Sequence, residues 1–197
     1  MKKLLIITLL FTLCSCVHFS YKSKRSGIIV DNFEKDYNEL PEWFNNDIEN
    51  DDGFTNFGIS FYSEKSYSDR ILEAENNAKE KISTKIKNDL IDLTNQTFEA
   101  NSEIQKQNFE SPDILVEEIM NFIPINSFKR LGIYDDKKTG DLYVYGILYY
   151  LDINNNIDKI EKIVINKMKN YNFSQDSIDS YLTMIKKLFN VYEEEML

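Results

Sequence analysis

Residues 66–98 read SYSDRILEAENNAKEKISTKIKNDLIDLTNQTF. Within this stretch Ile71, Ala74, Ala78, Ile82, Ile86, Leu90 and Leu93 recur at spacings of 3, 4, 4, 4, 4 and 3. That period draws a single apolar stripe along an α-helix. Glu75, Lys79, Glu80, Lys85 and Lys87 make up the polar face. Ser66 or Ser68 can cap the start, and Asp69 stands where the helix dipole favours negative charge. Ala74 and Ala78 are small members of the stripe, so the first half of the helix can lie close to a sheet. The same small-residue stripe can also dock a partner helix.

The flanks predict that sheet. Phe54 to Tyr62 alternates with period two: Phe57, Ile59 and Phe61 share one face, and Asn56, Gly58, Ser60 and Tyr62 the other. Small residues on the second face admit close approach by another element. After a polar connection over 101–110, Ser111-Pro112-Asp113 has the form of a helix start. The short helix is expected to reach about Phe122, with Ile114, Leu115, Ile119 and Met120 inward and Pro124 beyond its end. Asn126–Tyr134 and Asp141–Leu151 read as strands joined by the turn-rich stretch Asp135 to Gly140, a β-hairpin with a long loop. The run LYVYGILYYL, 142–151, is apolar on both faces and predicts a central or doubly covered strand.

Two helices follow. The first carries Ile157, Ile160, Ile163, Val164 and Met168, and the chain breaks over Asn170–Phe173. Ser174 or Asp176 can cap the second, which carries Ile178, Tyr181, Leu182, Ile185, Leu188, Phe189 and Tyr192. The expected fold class is α+β: a small, mostly antiparallel three-stranded sheet in the order strand-helix-helix-strand-strand, packed by a long amphipathic helix, with a C-terminal helical pair.

The N-terminus predicts location. Lys2 and Lys3 precede Leu4–Leu13, ten residues without a charge. A membrane-spanning helix needs about 20 apolar residues, so this run fits a secretory signal rather than a permanent span. It ends in Leu13-Cys14-Ser15-Cys16, which resembles the bacterial lipoprotein signal. In such signals the Cys is acylated and becomes the first mature residue. Cys16 fits better than Cys14, with small Ser15 before it and Leu13 three places back. Removing 15 of the 197 residues leaves 182, carrying 21 Lys+Arg against 33 Asp+Glu, a charge of −12. The resemblance implies at least two acyl chains, which anchor stably where one holds only marginally. The expected domains are 1–15, signal peptide; 16–40, lipidated tether; 41–152, α+β domain; and 153–197, C-terminal helical extension of the same domain. Pro41-Glu42-Trp43-Phe44 opens the folded part, with the lone Trp43 as a core or edge anchor.

Charge and chemistry narrow the function. The intact chain has 23 basic and 33 acidic residues, which argues against nucleic acid, whose phosphates demand clustered Lys and Arg. The 24 Ile, 21 Asn and 20 Lys, with 3 Arg, match the bias of an A+T-rich genome, so Asn-rich stretches carry no functional weight. His18 is the single His and lies in the tether. No nucleophile elbow, P-loop, zinc-ligand pair or C-x-x-C occurs. The loop at Asp47, Glu49, Asp51 and Asp52 misplaces the Gly of a calcium loop at 53 and puts Gly58 at the twelfth position. No catalytic, metal or cofactor residue is therefore assigned. Tyr143, Tyr145 and Tyr149, with Tyr150 beside them, form a candidate contact face.

The order of lipid anchor, Pro41-x-Trp43, strand with Gly58, helix with Ala74 and Ala78, and hairpin ending in Tyr143-Val144-Tyr145 resembles the small bacterial lipoprotein family called LPP-twenty, over about residues 41–151. Few Ala recur after Ala78, and the C-terminal helical pair is an extension of the family pattern. The resemblance implies an outer-membrane-associated lipoprotein, sometimes antigenic, some relatives being similar to ring-forming components of flagellar basal discs. The expectation is a non-enzymatic envelope lipoprotein, held to the outer membrane by acyl chains on Cys16. It acts by protein–protein contacts or self-assembly, through the Ala-faced helix or a sheet edge. The alternative is a surface-exposed ligand-binding or antigenic lipoprotein. Periplasmic and cell-surface sides both stay open.

Overall fold

The structure, a computed structural model, describes residues 51–100 and 112–191. Backbone contacts group Leu40–Leu197 into one compact unit. Cys16, the tether, Trp43, Ser111 and the acidic C-terminus lie outside the described residues.

Strand β1 spans Gly53–Ser60 and leads through a short loop to helix α1, Tyr67–Glu99. Ser66 caps α1: its hydroxyl accepts from the Asp69 N–H at 3.2 Å. Helix α2, Pro112–Met120, and a single 3-10 turn, Ile125–Ser127, precede the hairpin of β2, Lys129–Asp135, and β3, Leu142–Tyr149. Three helices close the described chain: α3, Tyr150–Asn154; α4, Ile157–Asn170; and α5, Gln175–Leu188. The sheet is antiparallel throughout in the order β1-β3-β2. The chain is thus α+β with a three-stranded sheet, and the doubly apolar strand is the central one.

Gly58 explains how α1 meets the sheet. A Cβ built on it would lie 1.9 Å from the Ala74 carbonyl oxygen and 2.4 Å from the Ala78 nitrogen. The helix backbone therefore rests on the strand, and only Gly below and Ala above permit that approach. Ala74 packs with Leu142 and Val144, with Ile71 and Ile133 half-buried beside them. Farther along, Ile82, Ile86, Leu90 and Phe98 join the main core.

The buried stripe runs Ala74, Ala78, Ile82, Ile86, Leu90, Thr94, Phe98, four residues at each step. Each step of four overshoots a full turn by about 40°, so the stripe winds round the helix. Its first half faces the sheet and its second half faces α5. Thr94 is buried where the periodicity placed Leu93, which is half-buried.

The C-terminal pair completes the main core. The Phe189 and Phe54 rings meet edge-on at 6.3 Å, and Phe173 and Phe98 at 4.9 Å. Ile160, Val164 and Met168 of α4 and Ile178, Tyr181 and Ile185 of α5 are buried. Ser174 caps α5 through the Ser177 N–H at 3.2 Å, and Asn172 takes a left-handed φ of 60° at the break.

Several boundaries differ from the sequence expectation. β1 ends at Ser60, and Phe61 and Tyr62 are exposed. Residues 125–127 coil before β2 begins. Tyr150 and Leu151 open α3 rather than extending β3. In α2, Val116 is buried and Ile114 is exposed. The two residues lie on different faces of the turn, and α2 presents Leu115, Val116 and Ile119 to the core.

Tyr181 is fully buried in α5, and its hydroxyl lies 2.7 Å from Thr94 Oγ1. Thr94 donates to the Leu90 carbonyl at 2.7 Å, so the Tyr181 hydroxyl donates to Thr94. Burial pushes the Tyr181 phenol up to about 12. An unfolded tyrosine ionises near 10.0, so the unfolded chain loses this proton first. The contribution is whole below pH 10 and is lost as pH rises from about 10 to about 12, by up to about 3 kcal/mol. Urea denaturation at pH 8 and pH 11 should show this fall, and a smaller one in Tyr181→Phe. Equal falls in both chains would remove the assignment.

Candidate contact face of the sheet

The pleat sorts the strands into two faces. Phe54, Gly58 and Ser60 of β1 pair with Leu148, Val144 and Leu142 of β3 on the face under α1. Thr55, Phe57 and Ile59 pair with Ile147, Tyr145 and Tyr143 on the outer face, and β2 adds Tyr134 opposite Tyr143. The apolar set Phe57 and Ile59 thus points away from α1, and the small set lies beneath it.

The three expected tyrosines share the outer face but are not equally available. Tyr143 and Tyr149 are half-buried, and Tyr145 is 9% exposed. Tyr150 does not join them: it starts α3, and its ring meets Phe54 edge-on at 5.2 Å under the helices. Two residues outside the expected set complete the aromatic patch. The Tyr143 ring lies 6.3 Å from Phe57 and 5.9 Å from Tyr134, tilted in each case. Such pairs add about 0.5–1.5 kcal/mol beyond their buried area. Burial, then Asp136 and Asp135, raise the Tyr134 pKa; burial, then Asp141, raise that of Tyr143. Both phenols stay neutral near pH 7 and offer hydroxyls on an aromatic floor. Phe57 was legible as a strand residue, but its pairing with Tyr143 depends on strand register.

The other two expected assembly surfaces are closed. Ala74 and Ala78 are fully buried against the sheet, so the Ala stripe faces no partner. The β1 edge carries side chains from α1: the Ile59 N–H donates to Asn77 Oδ1 at 3.1 Å, and Lys81 Nζ donates to the Phe57 carbonyl at 3.0 Å. Lys81 Nζ also stands 4.5 Å from the Phe57 ring centre, and burial lowers its pKa. The Phe57 N–H donates to Asn56 Oδ1 at 2.8 Å. These contacts occupy the groups an added strand would need. The β2 edge is broken by a bulge between Arg130 and Gly132, with Lys129, Arg130 and Leu131 exposed.

A shallow groove of about 540 Å³ lies between α1 and the β1 edge, lined by Asn56, Asn77, Lys81 and Asp89 among others. Asn77 and Lys81 are the residues that hold the strand edge. At the far end of the hairpin, Asp136 Oδ1 accepts from the Lys138 N–H at 2.8 Å, which lowers its pKa, and Asp141 Oδ1 accepts from the Tyr62 N–H at 2.9 Å. These carboxylates shape the turn. The described residues include no His or Cys, and no group of three or more His, Cys, Asp or Glu among them is placed to hold a metal. No described helix is long and apolar enough to cross a membrane. The chain matches no protein-family model and no curated protein.

Proposed function

We propose that this chain is a non-enzymatic, membrane-anchored envelope lipoprotein whose domain acts through protein–protein contacts, as a scaffold or assembly component. The observation that carries the reading is the ten-residue uncharged run Leu4–Leu13 after two lysines, closed by Leu13-Cys14-Ser15-Cys16. Cys16 is the acylated residue, and the outer membrane is its destination. The resemblance to the LPP-twenty family points the same way.

Replacing Cys16 with Ala should move the protein from the membrane to the soluble fraction, read by fractionation and immunoblot. Retention in the membrane fraction would refute the anchor.

A second reading, a surface-exposed ligand-binding lipoprotein, is favoured by one feature: half-buried Tyr143 between Phe57 and Tyr134. Protease treatment of intact cells separates the two. Digestion without lysis supports the outward-facing binder, and protection until the outer membrane is opened supports the periplasmic scaffold.

A further inference from the structure

Phe61 and Tyr62 are 71% and 63% exposed, and among the described residues they are the only exposed aromatic side chains. They stand side by side in the short loop between β1 and α1. That loop is pinned at every turn. The Tyr62 N–H donates to Asp141 Oδ1 at 2.9 Å. A Cβ on Gly140 would lie 2.7 Å from the Tyr62 ring, so the ring rests on the hairpin loop. Buried Arg70 donates to the carbonyls of Ser60 and Gly140, on either side of the junction. Ser60 Oγ donates to Glu73 at 2.8 Å, and Lys65 pairs with the same carboxylate at 3.0 Å. The fold gains nothing from holding two rings in water, whereas a pre-organised pair lowers the ordering cost of binding.

We propose that this tip is a second membrane-contact site, which sets Phe61 and Tyr62 into the headgroup region of a lipid bilayer. It rests on the anchored reading only for the means of bringing the tip to a bilayer. Three observations select lipid. The first is area: two aromatic side chains so exposed offer roughly 300 Å², against about 800 Å² per partner in a stable protein interface. The second is residue chemistry. The rings carry apolar bodies to headgroup depth, while the phenol and nearby ammonium groups stay wet. The third is charge. The carboxylates at the tip are turned to backbone or to Lys65: Asp141 and Asp136 accept from N–H groups, and Glu73 holds Lys65. Lys137 and Lys138 are exposed on the hairpin loop, facing Glu64 on the β1–α1 loop. Lysines so placed are drawn to anionic headgroups, although the whole chain carries −10. Acyl chains alone hold the chain without orienting it; the tip adds orientation, with the Ser60 end of β1 toward the bilayer.

Single-tryptophan fluorescence of the full acylated chain, reconstituted into vesicles of phosphatidylethanolamine and phosphatidylglycerol with brominated acyl chains, tests it. One variant combines Trp43→Phe with Phe61→Trp. The control combines Trp43→Phe with Leu151→Trp. Leu151 is 72% exposed and lies two residues past Tyr149, which pairs with Gly53 at the opposite end of β1, about 25 Å away. Both sites face water, so neither substitution burdens the core. The probe at 61 should shift to the blue and lose about half its emission to bromine, as for a side chain set about 5–10 Å into the headgroup boundary. The probe at 151 should keep its emission. Absence of quenching at 61 overturns the proposal, whether or not the chain sediments with the vesicles; sedimentation alone judges the acyl anchor. Equal quenching at both sites also overturns it, because the domain then lies on lipid without a preferred end. So does shielding of the probe at 61 from acrylamide in native membranes but not in vesicles, which assigns the tip to a protein partner.

Discussion

Gly58→Val is expected to abolish the cooperative unfolding transition or to lower stability by more than about 4 kcal/mol. Even a bare Cβ there would stand 1.9 Å from the Ala74 carbonyl oxygen and 2.4 Å from the Ala78 nitrogen. Both are backbone atoms, so no rotamer change relieves the clash. The helix must lift from the strand, and the contacts of Ala74 with Leu142 and Val144 go with it. The Asn77 and Lys81 contacts to the β1 edge are stretched by the same movement. A domain of this size has about 5–15 kcal/mol in total, so the loss takes a large share. Urea denaturation followed by circular dichroism reads it. Ile59→Val, on the outer face of the same strand, should lower stability by about 1 kcal/mol. An unchanged midpoint for Gly58→Val would mean that α1 does not rest on β1.

Arg70→Ala carries the second-largest expected effect, a loss of about 3 kcal/mol. Arg70 stands in the first turns of α1 and is 4% exposed. Its Nη2 donates to the Gly140 carbonyl in the hairpin loop and to the Ser60 carbonyl at 3.4 Å. One guanidinium thus ties the end of β1 and the β2–β3 turn to the helix start. Gly140 itself takes a φ of +81°, which leaves its carbonyl where a side chain from α1 can reach it. Truncation leaves both carbonyls without this donor and also removes the packed aliphatic stem.

Arg70→Met restores the stem but not the donors, and should recover only part of the loss. Arg70→Lys offers a single ammonium in place of the planar fork and should fall between Met and the native chain. Amide hydrogen exchange should rise first at 136–140. Stability of Arg70→Ala equal to the native chain would show that the clamp contributes nothing.

The long helix was legible because its signal is local. Ser66, Asp69 and the stripe from Ala74 to Leu90 all depend on residues within a few turns of one another. The hairpin was legible for the same reason, through its turn residues and the doubly apolar run from Leu142. The strand boundaries were not. Tyr150 and Leu151 continue the apolar run, and nothing in the run itself distinguishes a ninth strand residue from the first of a helix. The Tyr150 ring turns to Phe54, a contact between residues 96 positions apart in the chain.

The contact face shows the same division. Tyr143, Tyr145 and Tyr149 share a face by simple alternation, which the sequence displays. Their accessibility does not follow from alternation, because it depends on what lies over each ring. Phe57 and Tyr134 join Tyr143 only through the register of β1 and β2 on β3.

By itself the sequence determined the α+β order of elements, the caps, the apolar stripes and the small pair Gly58 and Ala74. Each is a property of neighbouring residues acting through backbone geometry. Only the tertiary structure decided which face of β1 lies under the helix, that the Ala stripe is sealed inside, and that the β1 edge is closed by Asn77 and Lys81. The physical reason is that Phe57 and Ile59 are the more apolar pair, yet backbone-to-backbone approach at Gly58 sets the orientation of the strand. Close packing between distant segments outweighed the preference of the larger side chains for the helix side.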